Sequence, residues 1–183
     1  MYYQIDTMQA SLTAGYFQKE NNKAWTLQDG HLILEDERPL IKSPWRCSVE
    51  PPEEGLVFKD FYANVKFMSK RLVEKLQNAG VDNLEIFPAE VTNTKTGEVN
   101  TDFVAVNIVG LVSCAVMDES QAEPLATTNV FHDLVIDPKK IHGIHMFRLA
   151  ESPMIILVSE QVAKALQASN FTGFTVVPVK EVT

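Results

Sequence analysis

The sequence predicts an α+β fold, with mixed, mainly antiparallel sheets, few helices, and one helix–strand unit that occurs twice. Three observations carry this expectation. Segments with strand-like composition outnumber helical ones. The helical segments do not alternate regularly with strands, as a doubly wound parallel sheet would require. And SKRLVEKLQNAGVDNLEIFP, residues 69–88, has a counterpart in SEQVAKALQASNFTGFTVVP, residues 159–178. Ser69 matches Ser159, Leu76 matches Leu166, Gln77 matches Gln167 and Pro88 matches Pro178, at one constant offset without a gap.

The elements follow in order. MYYQIDT reads as a short strand, and TLQDGHLILEDERP as a hairpin turned at Asp29-Gly30, with His31, Ile33 and Glu35 on one face and Leu32 and Leu34 on the other. The stretch PLIKSPWRCSVEPPEEGL, with four prolines, reads as a surface excursion or a linker. In the first copy of the unit, Ser69 is placed to cap a helix whose apolar residues are Leu72, Val73, Leu76 and Ala79, and Gly80 stops it. In the second copy Ser159 caps, the corresponding positions are Val162, Ala163, Leu166 and Ser169, and Asn170 stops. Each helix leads to a strand holding the shared proline, LEIFPAEV or FTVVPVKEV. A missing donor there predicts a sheet edge or a bulge.

Between the two copies, VTNTKTGEVNTDFVAVNIVGLVSCAV reads as a long hairpin turned around Lys95-Thr96-Gly97. MDESQAEPLATTN reads as a polar loop, and FHDLVID and GIHMFRLAESPMIILV as strands. Residues 1–57 are thus an irregular N-terminal segment with short strands. Residues 58–183 are an α+β region holding the repeat (69–91 and 159–181), and the two together are expected to form one compact unit.

Composition narrows the function. The 183 residues are 45% hydrophobic, which suffices for a sizeable core, and no apolar run is long enough for a membrane span. The start, MYYQIDTMQ, has neither the basic nor the apolar region of a signal peptide, and Cys47 and Cys114 form no pairing pattern. The expected compartment is the cytoplasm, with both thiols reduced and one of them buried. Sixteen bases against 24 acids give a net charge of −8, which argues against a nucleic-acid binder and would steer a basic partner toward the chain.

Catalytic patterns are absent from the sequence. It has no G-x-S-x-G elbow, no P-loop and no G-x-G-x-x-G, and its eight glycines are scattered singly. His142 and His145 are spaced i, i+3, which diverges on a strand, and no cysteine or carboxylate spacing completes a metal set. The expectation is therefore no catalytic residue, no metal and no cofactor. Ser69 and Ser159, in matching contexts, read as caps rather than nucleophiles. Acidic clusters are the remaining functional candidates: Glu35, Asp36 and Glu37; Glu53 and Glu54; and Asp118 and Glu119. A charge run is more often a solvated face than a site. On a chain without catalytic motifs, though, a protein-binding surface is the best functional alternative. Trp25 and Trp45 read as packing residues before interface anchors.

Three phrases carry a resemblance: KDFYANVKFMSKRLVEKLQNAGVDNLEIFPAEV, FVAVNIVGLVSCAVMDES, and IHGIHMFRLAESPMIILVSEQVAKALQASNFTGFTVVPV. Together they resemble the myxobacterial-type immunity protein family of bacterial polymorphic toxin systems, once catalogued as a domain of unknown function. The resemblance covers roughly residues 56 to 182, and its most specific parts are MFRLAESPMIILVSE and the T-G-F-x-x-x-P-V ending, Thr172 to Val179. It implies a non-enzymatic protein that binds and neutralises a cognate toxin. The acidic balance favours a cytoplasm-acting nuclease as that partner, with neither nucleic acid nor membrane bound directly. The competing classes are a cytoplasmic scaffold or ligand-binding module, and an enzyme of unrecognised type.

Overall fold

A computed structural model describes residues 1–7, 16–19, 22, 30–51, 58–63 and 66–182. In chain order the elements begin with β1 (Tyr2–Asp6), β2 (Tyr16–Lys19), β3 (Trp45–Glu50), β4 (Phe61–Tyr62), β5 (Phe67–Ser69) and α1 (Lys70–Asn78). Next come β6 (Leu84–Asn93), β7 (Val99–Asn100), β8 (Phe103–Ile108), β9 (Leu111–Val112), β10 (Gln121–Leu125), β11 (Thr128–Asp133) and β12 (Val135–Ile136). The chain finishes with β13 (Met146–Leu149), β14 (Ser152–Ser159), α2 (Glu160–Gln167), β15 (Thr175–Pro178) and β16 (Lys180–Glu181). The fold is α+β, with mixed and antiparallel sheets and two α-helices among the described residues.

Two sheets organise it. One runs β15-β1-β14-β13-β9; the other runs β2-β3-β6-β8-β5-β4, with β7 beside β6. β3 with β6 and β9 with β13 are the parallel pairs in these sheets, and the remaining ladders are antiparallel. Both helices turn their apolar faces into one core cluster that both sheets share. Leu72, Val73 and Leu76 of α1 and Val162, Ala163 and Leu166 of α2 share one cluster with Val104, Val106 and Ile108 of β8 and Ile156 and Val158 of β14. The alternate residues of β8, Phe103 and Ala105, pack with Trp45, Cys47 and Val49 on the far face of their sheet. This explains the near-continuous apolar run FVAVNI, broken only by the buried Asn107: a strand covered on both faces has no solvated face to show. Leu157 of β14 likewise points away from the helices, into a third cluster with Cys114, Ile136 and Phe147.

Several expectations from the sequence are corrected. PLIKSPWRCSVEPPEEGL is not a connector throughout, since WRCSVE is β3, lying between β2 and β6. Its prolines sit outside the strand, and inside it Trp45, Cys47 and Val49 alternate inward. The Asp29-Gly30 turn falls partly outside the described residues, but residues 31–37 make no hairpin arm. After Gly30 the chain runs irregularly into a tight turn over 35–37 and a 3-10 turn over Arg38–Leu40. Ile33 is buried while Leu32 and Leu34 are exposed. QAEPL, read as loop, and TNVFHD, with its first two residues also read as loop, pair as the β10–β11 hairpin. The 141–145 stretch holding His142 and His145 is irregular, and the strand begins only at Met146. Both cysteines are buried, and burial, with Glu151 nearby, pushes the Cys114 thiol up to about 12.

The repeat units also diverge. β15 is an edge strand, as its proline predicts, but β6 is an interior one. Pro88 is accommodated because it stands where β6 changes neighbours: residues 84–88 pair with β8 and residues 89–93 with β3. Gly80 adopts φ +92 after α1, whereas Asn170 is not left-handed and the chain turns instead through Gly173 at φ +99. Ser69 caps α1, its hydroxyl accepting from Leu72 N–H at 3.2 Å. Ser159 occupies the same position before α2 but makes no cap bond, and its Oγ lies 2.9 Å from His145 Nδ1. The offset therefore relates two units of equal element order whose caps, stops and sheet neighbours differ; duplication stands as a proposal.

An unequal serine effect follows. Ser69 Oγ accepts from Leu72 N–H and also donates to Asp60 Oδ1 at 2.7 Å. Ser69→Ala should therefore cost about 1–3 kcal/mol, a cap plus a charge-assisted bond, and Ser159→Ala about 0.5–1.5 kcal/mol. Urea melts of the two variants at neutral pH give the comparison. A Ser159→Ala loss equal to or greater than that of Ser69→Ala would contradict it.

Candidate partner-binding surface

The first acidic cluster sits on a pinned turn. Ile33 is the one buried side chain in residues 31–40, and its N–H donates to Glu85 Oε2 at 3.1 Å. Asn107 Nδ2, itself buried, donates to the His31 carbonyl at 2.8 Å and to Glu85 Oε2 at 2.9 Å, and Arg38 pairs with Glu85 Oε1. These contacts fix the segment to β6 and β8 and turn the residues between them outward. Glu37 accepts from Leu34 N–H at 3.0 Å. Glu35 and Asp36 are exposed and make no salt bridge among the described residues. Leu32, Leu34 and Leu40 are exposed beside them.

The second cluster occupies the turn before β10. Val116 O accepts from Glu119 N at 3.1 Å, from Ser120 N at 2.9 Å and from Ser120 Oγ at 2.8 Å, and Ser120 Oγ accepts from Val135 N at 3.0 Å. The serine ties the turn to β12 and leaves Asp118 and Glu119 exposed. No hydrogen bond or ion pair among the described residues joins this turn to Glu35–Glu37. The third cluster, Glu53 and Glu54, lies outside the described residues, as does Trp25. Trp45 is 2% exposed and belongs to the core.

No group of three or more His, Cys, Asp or Glu that could hold a metal ion occurs among the described residues. His31 and His142 are exposed, His132 lies 3.5 Å from Glu123, and His145 meets Ser159.

The most constrained polar group is one that sequence reasoning missed. Asp60, 3% exposed, accepts from Ser69 Oγ, from Arg71 Nε at 2.7 Å and Nη2 at 2.6 Å, and from Thr172 N at 2.9 Å. The Asp60 and Phe61 amides in turn donate to Thr172 O, at 3.0 and 3.3 Å. Burial pushes the Asp60 carboxyl up, but the bonds from Arg71, Ser69 and Thr172 outweigh it and hold the group below the usual carboxylate range. Residue 173 must be glycine, because a Cβ there would stand 2.4 Å from Phe61 O. This explains the T-G-F ending. Thr172 and Gly173 form a close backbone contact with the segment before β4, while Phe171 lies 4.9 Å under the Arg71 guanidinium. No local spacing announces a contact between residues 112 positions apart. An open cleft of about 380 Å³ beside this network is lined by Phe58, Lys59, Arg71, Asn100 and Asp102, among others. Its charges are mixed and it holds no converging catalytic pair.

The exposed acids thus stand on pinned turns, and the buried polar hub ties the segment before β4 to α1 and to Thr172. The family model of the Imm11 immunity protein family matches residues 1–181. The chain belongs to that family. No curated protein matches it. Imm11 membership makes this a bacterial immunity protein, a role that implies binding of a cognate toxin. The match also takes in the N-terminal third, where the resemblance in sequence carried little. Its residues explain why: β1 lies between β14 and β15, and β3 between β2 and β6, so this part of the Imm11 chain is built into both sheets. No helix among the described residues is long and apolar enough to cross a membrane.

Proposed function

We propose that this chain neutralises a nuclease toxin in the cytoplasm, where the nuclease would meet its substrate, by stoichiometric occlusion and without catalysis, metal or cofactor. The observation that carries the reading is the Imm11 match over 1–181. The charge of −8 supports the choice of toxin, since a nuclease must present bases to a polyanionic substrate. Acidic side chains would pair with those bases or lie beside them and exclude the nucleic acid. The proposed contacts are Glu35, Asp36 and Glu37, Glu53 and Glu54, and Asp118 and Glu119. The exposure of Glu35, Asp36, Asp118 and Glu119 without salt bridges among the described residues supports them. An interface of about 1,600 Å² in total would suffice. The reading also takes residues 1–57 and 58–183 as one unit, which the placement of β1 and β3 supports.

Co-expression with the toxin encoded beside this chain, scored for survival, tests the proposal. Titration of the purified toxin should then abolish nucleic-acid cleavage at one chain per toxin. Reversing charge in the contacting cluster should slow association and flatten its salt dependence, because steering acts on the encounter; the other clusters should be silent. Survival unaffected by the chain would end the neutralisation reading. Protection with salt-independent association would retain neutralisation and remove the acidic mechanism.

A further inference from the structure

We infer that the outer face of the β10–β11 hairpin is where the toxin docks, and that it seats a basic protein surface with an apolar patch at its centre. The inference rests on the neutralisation reading and selects, within it, one surface and its apolar anchors. The ladder pairs Glu123 with Val130 and Leu125 with Thr128, so these four side chains share one face with His132. Ala122 and Phe131 occupy the opposite face, and Phe131 packs against the cluster around Cys114, Ile136 and Phe147. The hairpin thus has an inner face anchored through Phe131 and an outer face tied down, among the described residues, only at Thr128, beside the turn. On the outer face Leu125 is 58% and Val130 41% exposed. The hairpin forms its own two-stranded sheet, fastened by Asn129 N, Asn129 Nδ2 and Thr128 Oγ1, which all donate to the Glu151 carbonyl.

Charge identifies the occupant. Residues 117–133 contain Asp118, Glu119, Glu123 and Asp133 and no lysine or arginine. Asp133 is matched by Lys180, leaving Glu123 exposed on the same face as the apolar pair, 3.5 Å from His132, and Asp118 and Glu119 exposed in the turn that leads into β10. An apolar centre with a charged rim is the anatomy of a protein interface, and a rim of this sign fits a basic partner. Contact is through the face rather than by strand addition, because Pro124 removes a donor from the β10 edge. The Glu35–Glu37 turn also exposes leucines. There, however, Glu37 is engaged within the turn, which leaves two outward acids, Glu35 and Asp36, against three at the hairpin and the turn before it.

The test uses the full chain and, as probe, the catalytically inactivated toxin encoded beside it, with kinetics at two salt concentrations. Leu125→Ser with Val130→Ser should speed dissociation by about tenfold or more. Asp118→Lys, Glu119→Lys and Glu123→Lys together should slow association by about fivefold or more at low salt, and by less at high salt. Glu35→Lys with Asp36→Lys should leave both rates within about twofold. Hydrogen exchange on the unmodified complex reads the same surface without any variant and should slow across residues 121–132. Hairpin variants that bind normally while the Glu35 and Asp36 variant fails would move the site to the other turn and overturn the inference. Hairpin variants that only abolish self-association, leaving toxin binding intact, would assign the face to a second copy of this chain. A toxin that never binds the unmodified chain and kills despite it would fail the neutralisation reading itself, a result distinct from binding that ignores the hairpin.

Discussion

Trp45→Ala is expected to remove about 3–5 kcal/mol of stability, enough to leave the chain largely unfolded if its total stability is ordinary for its size. Trp45 is 2% exposed at the start of β3, with its ring 6.4 Å from that of Phe87 on β6. It packs in one cluster with Ile33, Cys47, Val49 and Ala89. The cost therefore combines lost burial with a cavity on the sheet face above β3 and β6. Trp45→Phe should cost less than half as much. Trp45 Nε1 is buried with no hydrogen-bond partner among the described residues, so removing it relieves a desolvation penalty that offsets part of the lost volume. Because Ile33 leans on the same cluster, the alanine variant should also loosen the Glu35–Glu37 turn. Chemical denaturation with hydrogen exchange would show both effects. An alanine variant as stable as the phenylalanine one would mean that the cluster around Trp45 collapses without cost.

Trp45 also marks the limit of what the sequence shows. The helices were legible because their signals are local: Ser69 before an apolar periodicity, and Gly80 after it. The α+β class was legible for the same reason, since β8, β13 and β14 are mostly apolar runs, interrupted at Asn107 and Arg148, between turn residues. β3 was not, because prolines crowd both its ends and only its alternation, Trp45, Cys47, Val49, marks it as a strand. The β10–β11 hairpin was hidden by polarity. With one face solvated and only Phe131 reaching the core, QAEPLATTN has too few apolar residues to announce strands. Ser159 shows the converse failure. A good cap residue stands at the capping position, yet a histidine fourteen residues away in sequence takes its hydroxyl. On the candidate surface, sequence could mark charge, as at Asp118 and Glu119. It could not show that Leu125 and Val130 stand on the same face as Glu123, since that depends on the register across the turn.

Asp60 gives the second large effect, and pH isolates it. Its carboxylate is buried and receives bonds from Ser69, Arg71 and Thr172, whereas the Arg71 side chain is 61% exposed. The two partners should therefore differ. Arg71→Met leaves a buried carboxylate without its counter-charge, and should cost toward the lower end of about 3–5 kcal/mol. Asp60→Asn leaves only a solvated guanidinium and should cost about 1.5–3 kcal/mol, the worth of hydrogen bonds to a charged group. The folded carboxyl is held below its ordinary value of 3.8, so its stabilisation is fully present above that value and is lost as pH falls through the lower folded one. Wild type should thus lose stability relative to Asp60→Asn as pH drops from about 5 to 2.5, and the two curves should converge. In Arg71→Met the burial that raises the carboxyl is opposed by fewer bonds, so the folded value moves toward the ordinary one and the loss of stability on acidification should be smaller than in wild type. Stability curves for wild type and Asp60→Asn that stay parallel across that range would show that Asp60 is not held as a charged group. The buried hub of the fold would then be an ordinary neutral hydrogen-bond cluster.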